Sequence, residues 1–230
     1  GIKYLSSAPN TNPLWVSLVQ SGRIDFIAAN TLVDVMNPIN DPRLGAYFEM
    51  QNGAYVGGQY GSANSPTGGS AISDLMKTPS LQGNIMTAAE VNFLLAEATA
   101  RAYSAPKTTE EYYNNGITES ILEWQGTATD ASTYLAQTDV AYTTAAGDWK
   151  TRIATQKWIA MYNNGFEGWT SWRIFDVPTL NTPDGMTIND IPKRFLYPIV
   201  QAQLNGANNS EASTTIGGDL KTTKLFWDKN

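Results

Sequence analysis

The chain has 230 residues, a formal net charge of −6, 42% hydrophobic residues, and neither cysteine nor histidine. The hydrophobic content is enough for a sizeable core. The missing residue types exclude disulfides, Ser-His and Cys-His nucleophile pairs and nearly all zinc sites. The acidic balance, without any basic run, disfavours nucleic acid and anionic membranes, because binding to both relies on basic side chains that meet phosphates.

The low charge content favours uncharged polar ligands. Charged residues make up 16% of the chain, against about 25% in an average soluble domain, so amides and hydroxyls must supply much of the polar surface. Aromatic residues reach 11%. No apolar run is long enough for a membrane-spanning helix.

The first region, residues 1–80, contains a Gly-, Ser-, Asn- and Tyr-rich stretch at 41–70. This composition predicts loops with a short strand or two. Long ordered loops in compact domains are usually functional. Its glycine-rich segments lack the Lys-Ser/Thr that a phosphate-binding loop needs.

Two helices are predicted next. "MTAAEVNFLLAEATARAY" begins with a capping-box pattern, Thr87 and Glu90. Its apolar spacing predicts a buried helix face, and Phe93, Ala96 and Ala100 cover a second side. The residues of the first face are Val91, Leu94, Leu95, Ala98 and Ala102.

The following helix also begins with a capping box, formed by Thr108 and Glu111. Tyr113, Ile117, Ile121 and Trp124 define its buried face, so the two helices form an antiparallel hairpin. A short helix at about 130–137 follows.

The aromatic run "TQKWIAMYNNGFEGWTSWRIFD" predicts a further helix pair, bent at 163–165 and ended before Pro178. Trp158, Trp169 and Trp172 lie at helical spacing, which favours core packing over a sugar-stacking platform. The chain therefore reads as a mainly α fold of tetratricopeptide-like antiparallel helix pairs with long ordered loops: a loop-rich segment at 1–80, a helical core at 81–178 and a loop-rich tail at 179–230.

Several blocks resemble the C-terminal half of the SusD/RagB family of outer-membrane proteins. The longest are "MTAAEVNFLLAEATARAY", "YYNNGITESILEW", "IATQKWIAMYNNGFEGWTSWR" and "IPKRFLYPIVQAQLN", preceded by "DPRLGAYF" and followed by "LFWD". The chain departs from the family pattern in keeping a single arginine, Arg173, after the tryptophans, and in ending with "LFWD" rather than a tryptophan pair.

The resemblance implies a surface lipoprotein that binds glycans, or in some members peptides, and closes like a lid over a TonB-dependent, SusC-like transporter. It implies no catalysis and no cofactor, and a lipid anchor outside these residues. Loop aromatics beside amides are the candidate ligand-binding residues: Tyr55, Gln59, Tyr60, Trp124 and Tyr142.

Two alternatives stay open from the sequence. Glu119 and Glu123 lie one helical turn apart, and a carboxylate-dependent α-helical glycoside hydrolase would need such a pair, although acids at this spacing are more often a solvated face. A helical scaffold that binds only the transporter is the other alternative. The loop acids Asp41 and Asp184 are candidate calcium ligands, but nothing in the sequence selects them.

Overall fold

The computed structural model describes residues 1–229 and confirms a mainly α fold. Between these residues no β-strand forms beyond isolated bridges. The helices are α1 (Pro13–Trp15), a π-helical turn (Val16–Gln20), α2 (Asn30–Met36), a 3-10 turn (Asn37–Ile39), α3 (Leu44–Tyr47), α4 (Ala88–Ala100), α5 (Thr109–Glu123), α6 (Ala128–Leu135), α7 (Trp149–Ala160), α8 (Gly165–Phe175), a 3-10 turn (Ile188–Asp190), α9 (Ile199–Leu204) and α10 (Gly206–Thr215).

The N-terminal segment is loop-rich, as predicted, and its extended pieces pair only at single bridges. Ala29 pairs with Gly58 and Phe48 with Ile72. The predicted strands are therefore reduced to isolated bridges. Helix α10 was not predicted, because its sequence is polar and lacks an apolar stripe. None of the helices in residues 1–229 is long and apolar enough to cross a lipid bilayer.

Helices α4 and α5 form the predicted hairpin. Thr108 and Glu111 make a complete capping box, with Thr108 Oγ1 accepting from the Glu111 N–H. Gly116 lets the helices approach closely, because a Cβ there would lie 2.9 Å from the Phe93 ring. The face predicted for α5 is buried along its whole length, from Tyr113 to Trp124.

The face predicted for α4 is wrong. Phe93 and Ala96 are fully buried, whereas Val91 and Leu94 are 39% and 41% exposed. The helix carries apolar residues on two sides, so periodicity alone could not choose between them. On the buried side, Phe93 packs against Gly116 of α5.

The remaining predicted helices occur where expected. Helix α6 begins two residues before the predicted start, and α7 and α8 are separated by a turn at 161–164. Helix α8 ends at Phe175, ahead of Pro178, with Asp176 in the left-handed conformation. The division of the chain at residues 80 and 178 stays a prediction.

A fully buried ion pair joins the loop-rich segment to the helices. Arg43 donates to both carboxylate oxygens of Asp41, from Nε at 2.8 Å and from Nη2 at 2.6 Å, and both side chains are 0% exposed. Arg43 also donates to Ser120 Oγ of α5 and to Gln156 Oε1 of α7. Tyr134 of α6 donates its hydroxyl proton to Asp41 at 2.8 Å. One network therefore connects residues 41–43 with three helices.

The Asp41 carboxylate keeps the Arg43 guanidinium charged although both side chains are buried. Burial works against the charged guanidinium, but the neighbouring Asp41 carboxylate outweighs it and raises the pKa of Arg43 above its ordinary value. Burial also raises the pKa of the Tyr134 hydroxyl, and the negative charge of Asp41 adds to this effect. Tyr134 therefore stays a hydrogen-bond donor at every physiological pH.

Replacing Asp41 with asparagine is expected to destabilise the fold by about 3–5 kcal/mol, because the Arg43 charge stays buried without its carboxylate. Urea denaturation of Asp41→Asn against the unchanged chain measures this loss. Asp25→Asn is the matched control: Arg23 binds Asp25 with the same two distances, 2.8 and 2.6 Å, but that pair is exposed. Equal losses in the two variants would contradict a special role for the buried pair.

Candidate functional site

The turn between α7 and α8 separates two cavities. Helix α7 ends at Ala160 and α8 begins at Gly165. Asn163 has a φ of 65°, in the left-handed region that asparagine tolerates better than most residues. The preceding Tyr162 is fixed by stacking on Tyr47, with ring centroids 3.9 Å apart. The turn is therefore a rigid wall that both cavities share.

The larger cavity has a volume of about 500 Å³ and is here called the tryptophan cavity. Aromatic rings form much of its wall, and its polar side chains include Asn163, Asn181 and Asp190. The aromatic residues are Tyr60, Trp158, Tyr162, Trp169 and Trp172.

The tryptophans are oriented by neighbours on α8 and the tail. Trp169 donates its indole N–H to the Pro192 carbonyl at 2.8 Å. The Arg173 guanidinium lies 3.7 Å from the centre of the Trp169 ring and 4.9 Å from that of Trp227. The hydrogen bond to Pro192 and the guanidinium over one face of the ring hold Trp169 in place beside the cavity.

The smaller cavity has a volume of about 270 Å³ and is here called the amide cavity. The larger apolar and aromatic side chains that line it are Leu75, Leu81, Trp124, Met161 and Tyr162. Its polar side chains are Gln82, Asn84, Thr87, Glu123, Gln125, Asn163 and Asn164. A wall so rich in amides offers many hydrogen-bond donors and acceptors without a cation.

Each cavity has one carboxylate among its lining residues, and these carboxylates differ in environment. Burial raises the pKa of Glu123, although Asn84 Nδ2 donates to it and opposes the shift. Hydrogen bonds from the backbone and side chain of Thr187 lower the pKa of Asp190. Among the described residues that line the cavities there is no lysine or arginine.

The structure does not bring the five predicted ligand-binding residues into one site. Tyr60 lines the tryptophan cavity and Trp124 the amide cavity, and Gln59 donates to Asp184 at 2.6 Å. Tyr55 lines neither cavity, and Tyr142 packs against Tyr113 with ring centroids 5.2 Å apart. Their role in binding stays a prediction.

The prediction that the aromatic run is core is confirmed for Trp172 and holds in part for Trp158, which packs against the core at partial burial. Trp172 is 2% exposed, whereas Trp158 and Trp169 are only partly buried and line the tryptophan cavity. Helical spacing shows that these rings share a face. It does not show whether that face meets another helix or an open cavity.

Neither cavity has two carboxylates among its lining residues. Glu119 is exposed and lines neither cavity, and Glu123 is the only acid among the residues of the amide cavity. Within residues 1–229 no group of three acidic side chains is placed to hold a metal ion. The candidate calcium ligands are otherwise engaged, Asp41 by Arg43 and Asp184 by Gln59.

The fold is that of SusD homologues. A SusD homologue from Bacteroides fragilis matches with a TM-score of 0.83 at 23% identity, over 100% of this chain and 56% of its own length. A chitin-binding SusD homologue from Flavobacterium johnsoniae matches with a TM-score of 0.77 at 24% identity, over 98% and 54%. A structure described as a chitin-binding protein matches with a TM-score of 0.73 at 25% identity, over 88% and 50%. The chain thus spans about half the length of these structures.

A sequence-family model for SusD-like proteins, described as "Starch-binding associating with outer membrane", matches residues 2–198. The chain therefore belongs to this SusD-like family, which confirms the resemblance found in its sequence blocks. No curated protein matches the chain.

Trp158 and Trp172 differ in burial, and the stability of their alanine variants tests this difference. Trp172→Ala is expected to cost about 3–5 kcal/mol, because it empties a fully buried site. Trp158→Ala is expected to cost clearly less, since the ring already faces a cavity. Urea denaturation of the two variants measures the difference. An equal or larger loss for Trp158→Ala would show that its ring belongs to the core.

Proposed function

We propose that this chain binds glycans without catalysis at the outer-membrane surface and delivers them to a SusC-like, TonB-dependent transporter. The tryptophan cavity carries this proposal. Its volume falls in the range of roughly 300–1,000 Å³ that is typical of small-molecule sites. It combines aromatic faces with a few polar side chains, which is the usual composition of such sites.

The chemistry of the cavity suits a pyranose. One face of a sugar ring is apolar and packs on an aromatic ring, while its hydroxyls need hydrogen-bond partners at the edge. Trp158 and Trp169 supply the rings, and Asn163 and Asn181 supply amides. The chitin-binding description of two similar structures and the starch-binding description of the family support a glycan as the ligand.

The cellular part of the proposal rests on the family. Its description includes association with the outer membrane, and family resemblance suggests a lipid anchor outside these residues and a transporter partner. A peptide is a second ligand class, since aromatic and amide groups also bind peptides. A hydrolase is less supported, because each cavity offers a single carboxylate among its lining residues.

Trp158→Ala is expected to weaken glycan binding by at least about tenfold, equivalent to about 1.4 kcal/mol. A glycan array selects the ligand, and isothermal titration calorimetry measures the affinity. Trp149→Ala is the matched control, because Trp149 is also a partly buried tryptophan of α7 but lines neither cavity. Release of reducing sugar from the bound glycan would contradict a non-catalytic role, and equal losses in both variants would contradict the site.

A further inference from the structure

The two cavities meet at the turn between α7 and α8. Met161, Tyr162 and Asn163 are the three residues that line both. Met161 is buried and Asn163 is exposed, so the shared wall rises from the core to the surface. The two cavities are therefore neighbours on either side of this turn.

We propose that the tryptophan and amide cavities are two subsites of one extended site, which binds an uncharged oligosaccharide across the α7–α8 turn. This inference rests on the proposed glycan-binding function and names the class of glycan. The tryptophan cavity stacks sugar rings, and the amide cavity hydrogen-bonds the hydroxyls of further units.

The sizes of the cavities favour an oligosaccharide over a short sugar. The amide cavity, at about 270 Å³, is slightly smaller than the roughly 300 Å³ at the lower end of typical small-molecule sites. It is therefore better suited to part of a longer ligand than to a ligand of its own. The tryptophan cavity is nearly twice as large and holds the stacked part.

The shared wall keeps the two subsites in a fixed relation. Tyr162 stacks on Tyr47, whose hydroxyl donates to the Ile159 carbonyl at 3.2 Å. Trp124 packs edge-on against Tyr47, with ring centroids 4.8 Å apart. These contacts attach the wall to the core, so a bridging ligand meets subsites that are already positioned and binding costs less ordering entropy.

The charge on the wall of the amide cavity selects against acidic glycans. Glu123 accepts a hydrogen bond from Asn84 Nδ2, and no lysine or arginine is among the described residues that line this cavity. In the tryptophan cavity, by contrast, Asp190 is paired with Lys221 at 3.7 Å and the Arg173 guanidinium lies on the Trp169 ring. An anionic sugar in the amide cavity would therefore meet the Glu123 carboxylate without a neighbouring cation, and like charges repel.

A length series tests whether the two cavities act together. Calorimetry compares disaccharides with hexasaccharides of N-acetylglucosamine, of α-linked glucose and of β-linked glucose. For the hexasaccharide that binds best, we expect at least about tenfold higher affinity than for its disaccharide. Equal affinities would overturn the extended site while leaving glycan binding intact. No binding by any of the three hexasaccharides would overturn the proposed function together with this inference.

Substitutions test whether the amide cavity produces the higher affinity of the hexasaccharide. Gln125 lines the amide cavity with a φ of 66°, so glycine suits its backbone. Gln125→Gly is expected to lower hexasaccharide affinity much more than disaccharide affinity, so that most of the gain of the hexasaccharide is lost. Asn52→Gly is the matched control, because Asn52 is also left-handed but lines neither cavity. A hexasaccharide gain that Gln125→Gly leaves intact would overturn the bridging role of the amide cavity.

Hexagalacturonate tests the charge selectivity. We expect it to bind at least about tenfold more weakly than the best neutral hexasaccharide, and Glu123→Gln to reduce this difference. The variant keeps an acceptor for Asn84 while it removes the charge. Equal affinity for acidic and neutral hexasaccharides in the unchanged chain would overturn the selection for uncharged glycans.

Discussion

The buried pair of Asp41 and Arg43 joins the loop-rich N-terminal segment to three helices of the core. Two charges taken out of water are tolerated only with good geometry and with further hydrogen bonds. Here those bonds come from Ser120, Tyr134 and Gln156, one side chain from each of three helices. The exposed pair of Arg23 and Asp25 has the same distances but is screened by water. The two pairs have the same geometry, so burial is the reason why breaking the Asp41–Arg43 pair is expected to cost more stability.

This network also positions the candidate site. Gln156 belongs to α7, two residues before Trp158. Tyr47 follows the ion pair by one turn of α3 and stacks on Tyr162, in the turn just after α7. The network therefore fixes the axis of α7, and the Tyr47–Tyr162 stack fixes its end. Both cavities are built around that end. The Asp41–Arg43 network, which lies outside both cavities, therefore helps to set their shape.

The sequence predicted the positions of the helices more accurately than the contacts that their side chains make. Capping boxes and apolar spacing gave α4, α5, α7 and α8, because these signals are local. The sequence did not show which apolar side of α4 is buried, or that Trp158 is only partly buried beside a cavity, since both depend on what packs opposite the helix. The partners of Arg43 lie 77 and 113 residues away in the chain, so no local pattern reveals them. The walls of the candidate site come from distant segments for the same reason, and of the five residues predicted from the sequence only Tyr60 and Trp124 lie among them.

Binding of the ligand around the end of α7 can be tested with the indole N–H signals of the seven tryptophans, recorded by nuclear magnetic resonance during titration with the best-binding neutral hexasaccharide. Saturable shifts are expected for Trp158 and Trp169, with the signal of Trp149 unchanged. Shifts confined to Trp149 or Trp15, which line neither cavity, would contradict binding around the end of α7, because they would place the glycan elsewhere on the molecule.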